Sequence, residues 1–202
     1  MQKLAFGPES DLFSHALAIV LDFVGQKEMK YHDILCYSGR GFKSFWNTRF
    51  FFWDDYMPEP HPDPEYYLRT DYASARSALS AAGWEHEIIA NKDCTHPAQN
   101  IAIQRLAGGD DVRANVIAGI SEDERPILAL FSVSSTPWMP EWSIITGYDD
   151  GGSVITGWSP FQDSEEAQAE LDKEPNGYFR KQDWEKNTVV VVKLLGESRK
   201  TE

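Results

Sequence analysis

Few side chains in this sequence stand at spacings that chemistry requires. Ser14 and His15 are adjacent, and a hydroxyl beside an imidazole invites a nucleophile–base reading. On a helix, however, neighbours i and i+1 point about 100° apart and do not face each other. Ser14 therefore reads as a helix hydroxyl satisfied by its own surroundings. Cys36 follows the apolar pair Ile34-Leu35 and reads as a small core residue rather than a thiolate nucleophile. Neither Cys36 nor Cys94 sits in a CxxC pair or a zinc-type spacing, and nothing requires a disulfide between them. Asp54, Asp55, Glu59, His61, Asp63 and Glu65 offer oxygen ligands of the kind hard cations take. Pro58, Pro60, Pro62 and Pro64 break up that stretch, which reads instead as a solvated acidic loop. Gly108-Gly109 lacks the glycine spacing and preceding strand of a phosphate cradle. No metal, nucleotide or other cofactor is expected.

One carboxylate stands apart. Glu141 lies between Pro140 and Trp142 at the start of an apolar strand, which taken alone reads as a surface carboxylate at a strand end. A desolvated Glu at such a place can serve as an acid or base, or pair with a cationic ligand group. Trp46, Trp53, Trp138, Trp142 and Trp158 are candidates to wall a pocket, although packing explains each of them singly. Arg40 and Gln162 are weaker polar candidates.

The elements that must position these groups are read from pattern. Leu12 to Gly25 is a helix apolar on most faces, with Ser10 as a candidate cap, Asp11 favourable in the first turn and Gly25 as its stop. Tyr31 to Tyr37 reads as a short helix, Ser38-Gly39-Arg40-Gly41-Phe42 as a bend, and 45–65 as a long loop. Asp71 to Gly83, Pro97 to Ala107 and Asp110 to Ile120 read as helices, and Glu85 to Ala90 as a strand. Strands follow at Pro126 to Ser132, Trp142 to Tyr148, Ser153 to Trp158 and Thr188 to Leu194. Asp149-Asp150-Gly151-Gly152 closes a hairpin. Asp163 to Asn176 reads as a charged surface excursion, and 196–202 as a frayed tail. Helices first and an antiparallel sheet afterwards define an α+β class, in one domain spanning the 202 residues.

Composition narrows the function classes. The net charge is −13, from 19 basic and 32 acidic residues, and no basic run offsets it. Such a field repels phosphate backbones and anionic lipid heads, so neither nucleic acid nor membrane is an expected partner. Leu12 to Val24 is too short and too polar to span a bilayer. With no export signal in the opening residues, the cytoplasm is the expected location.

The helix Leu17-Ala18-Ile19-Val20-Leu21-Asp22-Phe23-Val24-Gly25 and the hairpin Trp142 to Ile155, followed by Gly157-Trp158-Ser159-Pro160, carry a resemblance. They resemble the papain-like clan, in particular bacterial leader-processing peptidases. Ser38-Gly39-Arg40-Gly41-Phe42, Pro126-Ile127-Leu128-Ala129, Gly147-Tyr148-Asp149, Gly177-Tyr178-Phe179-Arg180 and Trp184 extend it. Together they resemble the N-terminal domain family of the butirosin biosynthesis protein H. The resemblance implies a papain-like fold, with N-terminal helices packed on a C-terminal antiparallel sheet. It places the nucleophile position at Leu12, the histidine position at Glu141 and the orienting position at about Ser159. Papain chemistry needs a thiolate at a helix N-terminus, a His as its base and a group to orient that His. Leu12, Glu141 and Ser159 supply none of these, so a cysteine peptidase is not expected.

Three functional readings follow. The preferred one is a pseudoenzyme that binds a small molecule or peptide, cationic ligands included, through Glu141, Trp158, Ser159, Ser14, Arg40, Trp46 and Gln162. The second is an acyl or aminoacyl transferase served by a carrier protein, with Glu141 as acid or base. The third is a protein-interaction domain.

Overall fold

The computed structural model describes residues 11–38, 45–46, 51–52, 73–94, 106–134 and 140–198. The first helix, α1 (Leu12–Phe23), is capped by Asp11, whose side chain accepts from the Ser14 amide at 2.8 Å. The cap is thus one residue later than Ser10. At the other end Gly25 adopts φ +93°. Gly25 N–H donates to Asp22 O and Gln26 N–H to Leu21 O, the paired bonds of a Schellman stop. Two short helices follow, α2 (Tyr31–Tyr37) and α3 (Ala73–Ala81). A longer one, α4 (Gly109–Ser121), begins where carboxylates already occupy the free amides. Asp111 accepts from Gly108 N–H at 3.3 Å and Asp93 from Gly109 N–H at 2.9 Å.

Ten strands are present among the described residues. β1 (Phe45–Trp46) and β2 (Phe51–Phe52) pair only with each other. The other eight are β3 (Trp84–Asn91), β4 (Leu106–Ala107), β5 (Ile127–Phe131), β6 (Glu141–Asp149), β7 (Val154–Trp158), β8 (Asp172–Lys173), β9 (Phe179–Gln182) and β10 (Thr188–Glu197). They form one sheet in the order β4-β3-β10-β5-β6-β7-β9-β8. Neighbours run antiparallel except β4, which lies parallel to β3 at one edge. β10 sits between β3 and β5, which explains its run Val189-Val190-Val191-Val192. A strand buried on both faces reads as continuously apolar rather than alternating.

The sheet separates two cores. On one face α1, α2 and α3 supply Phe13, Leu17, Val20, Leu21, Ile34 and Leu79, packed on Leu128, Leu130, Trp142, Ile144, Trp158, Val190 and Val192. On the other, Val112 and Val116 of α4 meet Ile89, Ala129, Phe131, Ile145, Ile155, Phe179, Trp184 and Val191. A short helix, α5 (Glu165–Gln168), adds Ala167 to that second core.

The molecule is therefore mixed α and β, with a largely antiparallel sheet. Several local expectations are corrected. The helices are not segregated ahead of the sheet, because β3 comes from mid-chain to pair with the last strand, and α4 covers the opposite face. Leu106–Ala107 is an edge strand rather than the end of a helix. β10 continues to Glu197, past the point expected to fray. The 163–176 excursion contains α5 and β8. Both cysteines are free thiols; Cys94 is buried, but Cys36 is exposed on α2 and is not a core residue. The acidic stretch 54–65, Trp53, Trp138 and Arg40 lie outside the described residues, as does the side chain of Trp46. No helix among the described residues is long and apolar enough to cross a membrane.

Ser14 departs from its expected role. Its Oγ is buried against the first core and finds no hydrogen-bond partner among the described residues. An unpaired buried hydroxyl is a net cost. Ser14→Ala is expected to raise stability by about 1 kcal/mol, read as a higher urea midpoint at unchanged slope.

Candidate functional site

Glu141 opens β6, and its position on the sheet follows from register. It pairs across the ladder with Phe131, a member of the second core, whereas Trp142 pairs with Leu130 in the first. Alternation along the strand therefore turns the Glu141 side chain away from α1. β7 ends at Trp158, which faces the first core beside Ile144, its ladder partner. The next residue, Ser159, returns to the Glu141 side.

There the two side chains meet. Ser159 Oγ donates to Glu141 Oε1 at 2.8 Å, with both residues buried at 1 % and 4 % exposure. The turn after Ser159 closes on itself. Gln162 Oε1 accepts from Ser159 N–H at 3.1 Å, and Ser159 Oγ accepts from Phe161 N–H at 3.3 Å. Gln162 Nε2 then donates to Gly177 O at 2.7 Å, tying this turn to the approach of β9. Gln162 is itself 1 % exposed. A backbone amide, that of Val133, also donates to the Glu141 carboxyl. The result is a continuous buried polar chain linking the start of β6, the end of β7 and the segment before β9.

Burial is the dominant influence on Glu141. It pushes the carboxyl up from the usual 4.5 to about 8, against the opposing pull of the Ser159 and Val133 hydrogen bonds. At neutral pH Glu141 is therefore mainly a neutral acid, one that ionises close to the working range. As a neutral acid it carries a proton that needs an acceptor, and as a carboxylate it needs a cation.

The remaining sequence candidates are placed elsewhere. Leu12 packs on the first core, so it and Glu141 project to opposite faces of the sheet. The two elements do approach, since the Phe13 and Trp142 rings meet edge-on at 5.1 Å between centroids. Ser14 and Trp158 also lie on the α1 face. His15 stacks on Tyr31 at 4.2 Å. Its pKa is lowered by burial, with Asp11 raising it and His32 lowering it further. Of the seven binding candidates, the structure thus unites Glu141, Ser159 and Gln162. Sequence reasoning missed the Val133 amide and the Gly177 carbonyl. Backbone partners leave no residue-type signal, although a Gln three residues after a Ser is a pattern suited to a local side-chain-to-backbone turn.

No group of three His, Cys, Asp or Glu among the described residues is arranged to hold a metal ion. Comparison with family models, curated proteins and solved structures finds no match to this chain.

Proposed function

We propose that this chain is a papain-like domain without peptidase chemistry that binds an amine-bearing small molecule or peptide at Glu141. One observation carries the reading: the buried hydrogen bond between Glu141 and Ser159, 2.8 Å long. These are the two positions that the resemblance assigns to a catalytic base and the residue that orients it. Their pairing is what a retained scaffold with altered chemistry would leave.

Leu12 offers no nucleophile, so no acyl-enzyme can form there. What remains is a desolvated acid held by two donors. An ammonium group brought beside it favours the carboxylate and displaces the proton. Recognition of an amine would then be coupled to proton release.

Titration calorimetry at pH 7 with the tripeptide amide Gly-Lys-Gly-NH2, in buffers of different ionisation enthalpy, tests this. Binding is expected to release up to about one proton. Glu141→Gln is expected to abolish that release and weaken binding at least about tenfold. Binding of equal strength and equal proton count in the variant would remove Glu141 from the site, and absence of binding to the parent protein would end the proposal.

A further inference from the structure

A second site lies at the far edge of the sheet, independent of Glu141. β8 pairs with β9 only at Phe179 and Arg180, so the following residues of β9 border an open cleft of about 500 Å³. That size suits a small molecule. Its lining is polar throughout, and includes Glu170, Asp172, Arg180, Lys181, Lys186 and Asn187.

Lys181 is the unusual member. It follows Phe179 by two residues and so points to the same, inner face of β9. Its side chain is only 6 % exposed, yet its single ion-pair contact among the described residues is Glu170 at 3.4 Å. That is long for a charged hydrogen bond. An ammonium has three donors, and burying one with so little compensation is costly. The Asn187 side chain, half-buried in the same wall, has no hydrogen-bond partner among the described residues.

The surrounding charges select among anions. Arg180 is already taken up by Asp149 and Glu174, leaving it a poor handle for a further anion. Lys186 is 80 % exposed and stands 3.9 Å from Asp183. Glu170, Asp172 and Asp183 together set a negative mouth that disfavours phosphate or any other dianion. Asp172 is exposed and without a side-chain partner among the described residues. A ligand carrying both a carboxylate and an ammonium satisfies the two ends at once.

We propose that the cleft beside β9 binds a small zwitterion of the amino-acid class, its carboxylate on Lys181 and Asn187 and its ammonium toward Asp172. A free amino acid and a short free peptide share this chemistry, and they differ in the distance between the charges. Amide-resolved NMR titration of the full chain with L-glutamine and with glycylglycine separates them. Saturable shifts centred on Lys181 and Asn187 are expected for one of the two. N-acetylation of that ligand, and separately conversion of its carboxylate to an amide, should each weaken binding at least about tenfold. Lys181→Met keeps the apolar stem without the charge and should do the same; Asp172→Asn, at an exposed position, provides a variant with little bearing on folding and should weaken only the ligand that carries a free ammonium. No saturable shift below about 10 mM, a regime weaker than about 3 kcal/mol, overturns the proposal. So does unchanged binding in both variants.

Discussion

Glu141→Gln is expected to flatten a pH dependence that the parent protein shows between about pH 5 and pH 8. The direction follows from proton counting. In the folded chain the carboxyl holds its proton up to about pH 8, whereas in the unfolded chain it loses it near 4.5. Between these values the folded state binds more protons, so stability falls as pH rises. The stabilising contribution is complete below the unfolded value and gone once pH passes the folded one. The slope is about 1.4 kcal/mol per pH unit at most, and the accumulated loss is on the order of a few kcal/mol. Gln keeps an oxygen for Ser159 Oγ and the Val133 amide, and its NH2 replaces the proton that the acid carried. The variant should therefore be more stable than the parent at pH 8.5 and similar to it at pH 5. Urea titrations at pH 5, 7 and 8.5 measure this. The general repulsion of a chain at −13 also grows with pH, but it is common to both proteins and cancels in their difference. Parallel stability profiles would mean that Glu141 ionises in the folded state much as it does in the unfolded one.

Gly157→Ala is expected to be the most damaging single methyl in the described structure. A Cβ built at Gly157 would lie 2.1 Å from Ile144 O and 3.1 Å from the Ile145 Cα. The obstacle is the backbone of the adjacent strand, which cannot rotate aside as a side chain can. Gly157 pairs with Ile145, beside the irregularity in register before Gly147. Relief therefore requires β6 and β7 to separate where both are buried. A loss of about 3 kcal/mol or more, or failure to fold, is expected. Chemical denaturation measures it. Because Ser159 lies two residues beyond and its hydrogen bond holds the Glu141 carboxyl down, a folded Gly157→Ala protein that loses this bond should carry the Glu141 pH dependence to higher pH. Full stability with an unaltered pH dependence would show that β6 and β7 accommodate a methyl at this position. Gly147 has an easier obstruction, the Thr156 hydroxyl at 2.6 Å, which belongs to a side chain that can turn.

Much of the fold was legible because its signals are local. The α1 range, the α2 range and the Asp150–Gly152 turn between β6 and β7 follow from capping, periodicity and glycine placement. What was not legible depends on distant pairing. β4 and β8 have two residues each, too few to show alternation, and exist because a neighbouring strand presents an edge. The placement of β3 beside β10 is likewise set by partners remote in sequence.

The same division holds at the site. Glu141 and Ser159 were reached through resemblance, and their contact follows from β6 and β7 being a hairpin. That Trp158 and Leu12 would face away from Glu141 is a matter of strand parity. Parity is readable in principle from Phe131, Ala129 and Ile127 on one side and Leu130 and Leu128 on the other. It becomes decisive only once the register between β5 and β6 is known. The Lys181 cleft left no trace in the sequence, since a lysine on a short strand ordinarily reads as solvated.

The placement of β10 has a bearing on how the chain acquires its shape during synthesis. Val190 lies opposite both Ala90 and Leu130, so the middle of the sheet stays open until residues 188–197 have left the ribosome. Until then β3 and β5 each keep one edge of unpaired amides and adjoining apolar surface exposed. Closing so wide a loop is slow, and chaperone dependence should concentrate in that interval.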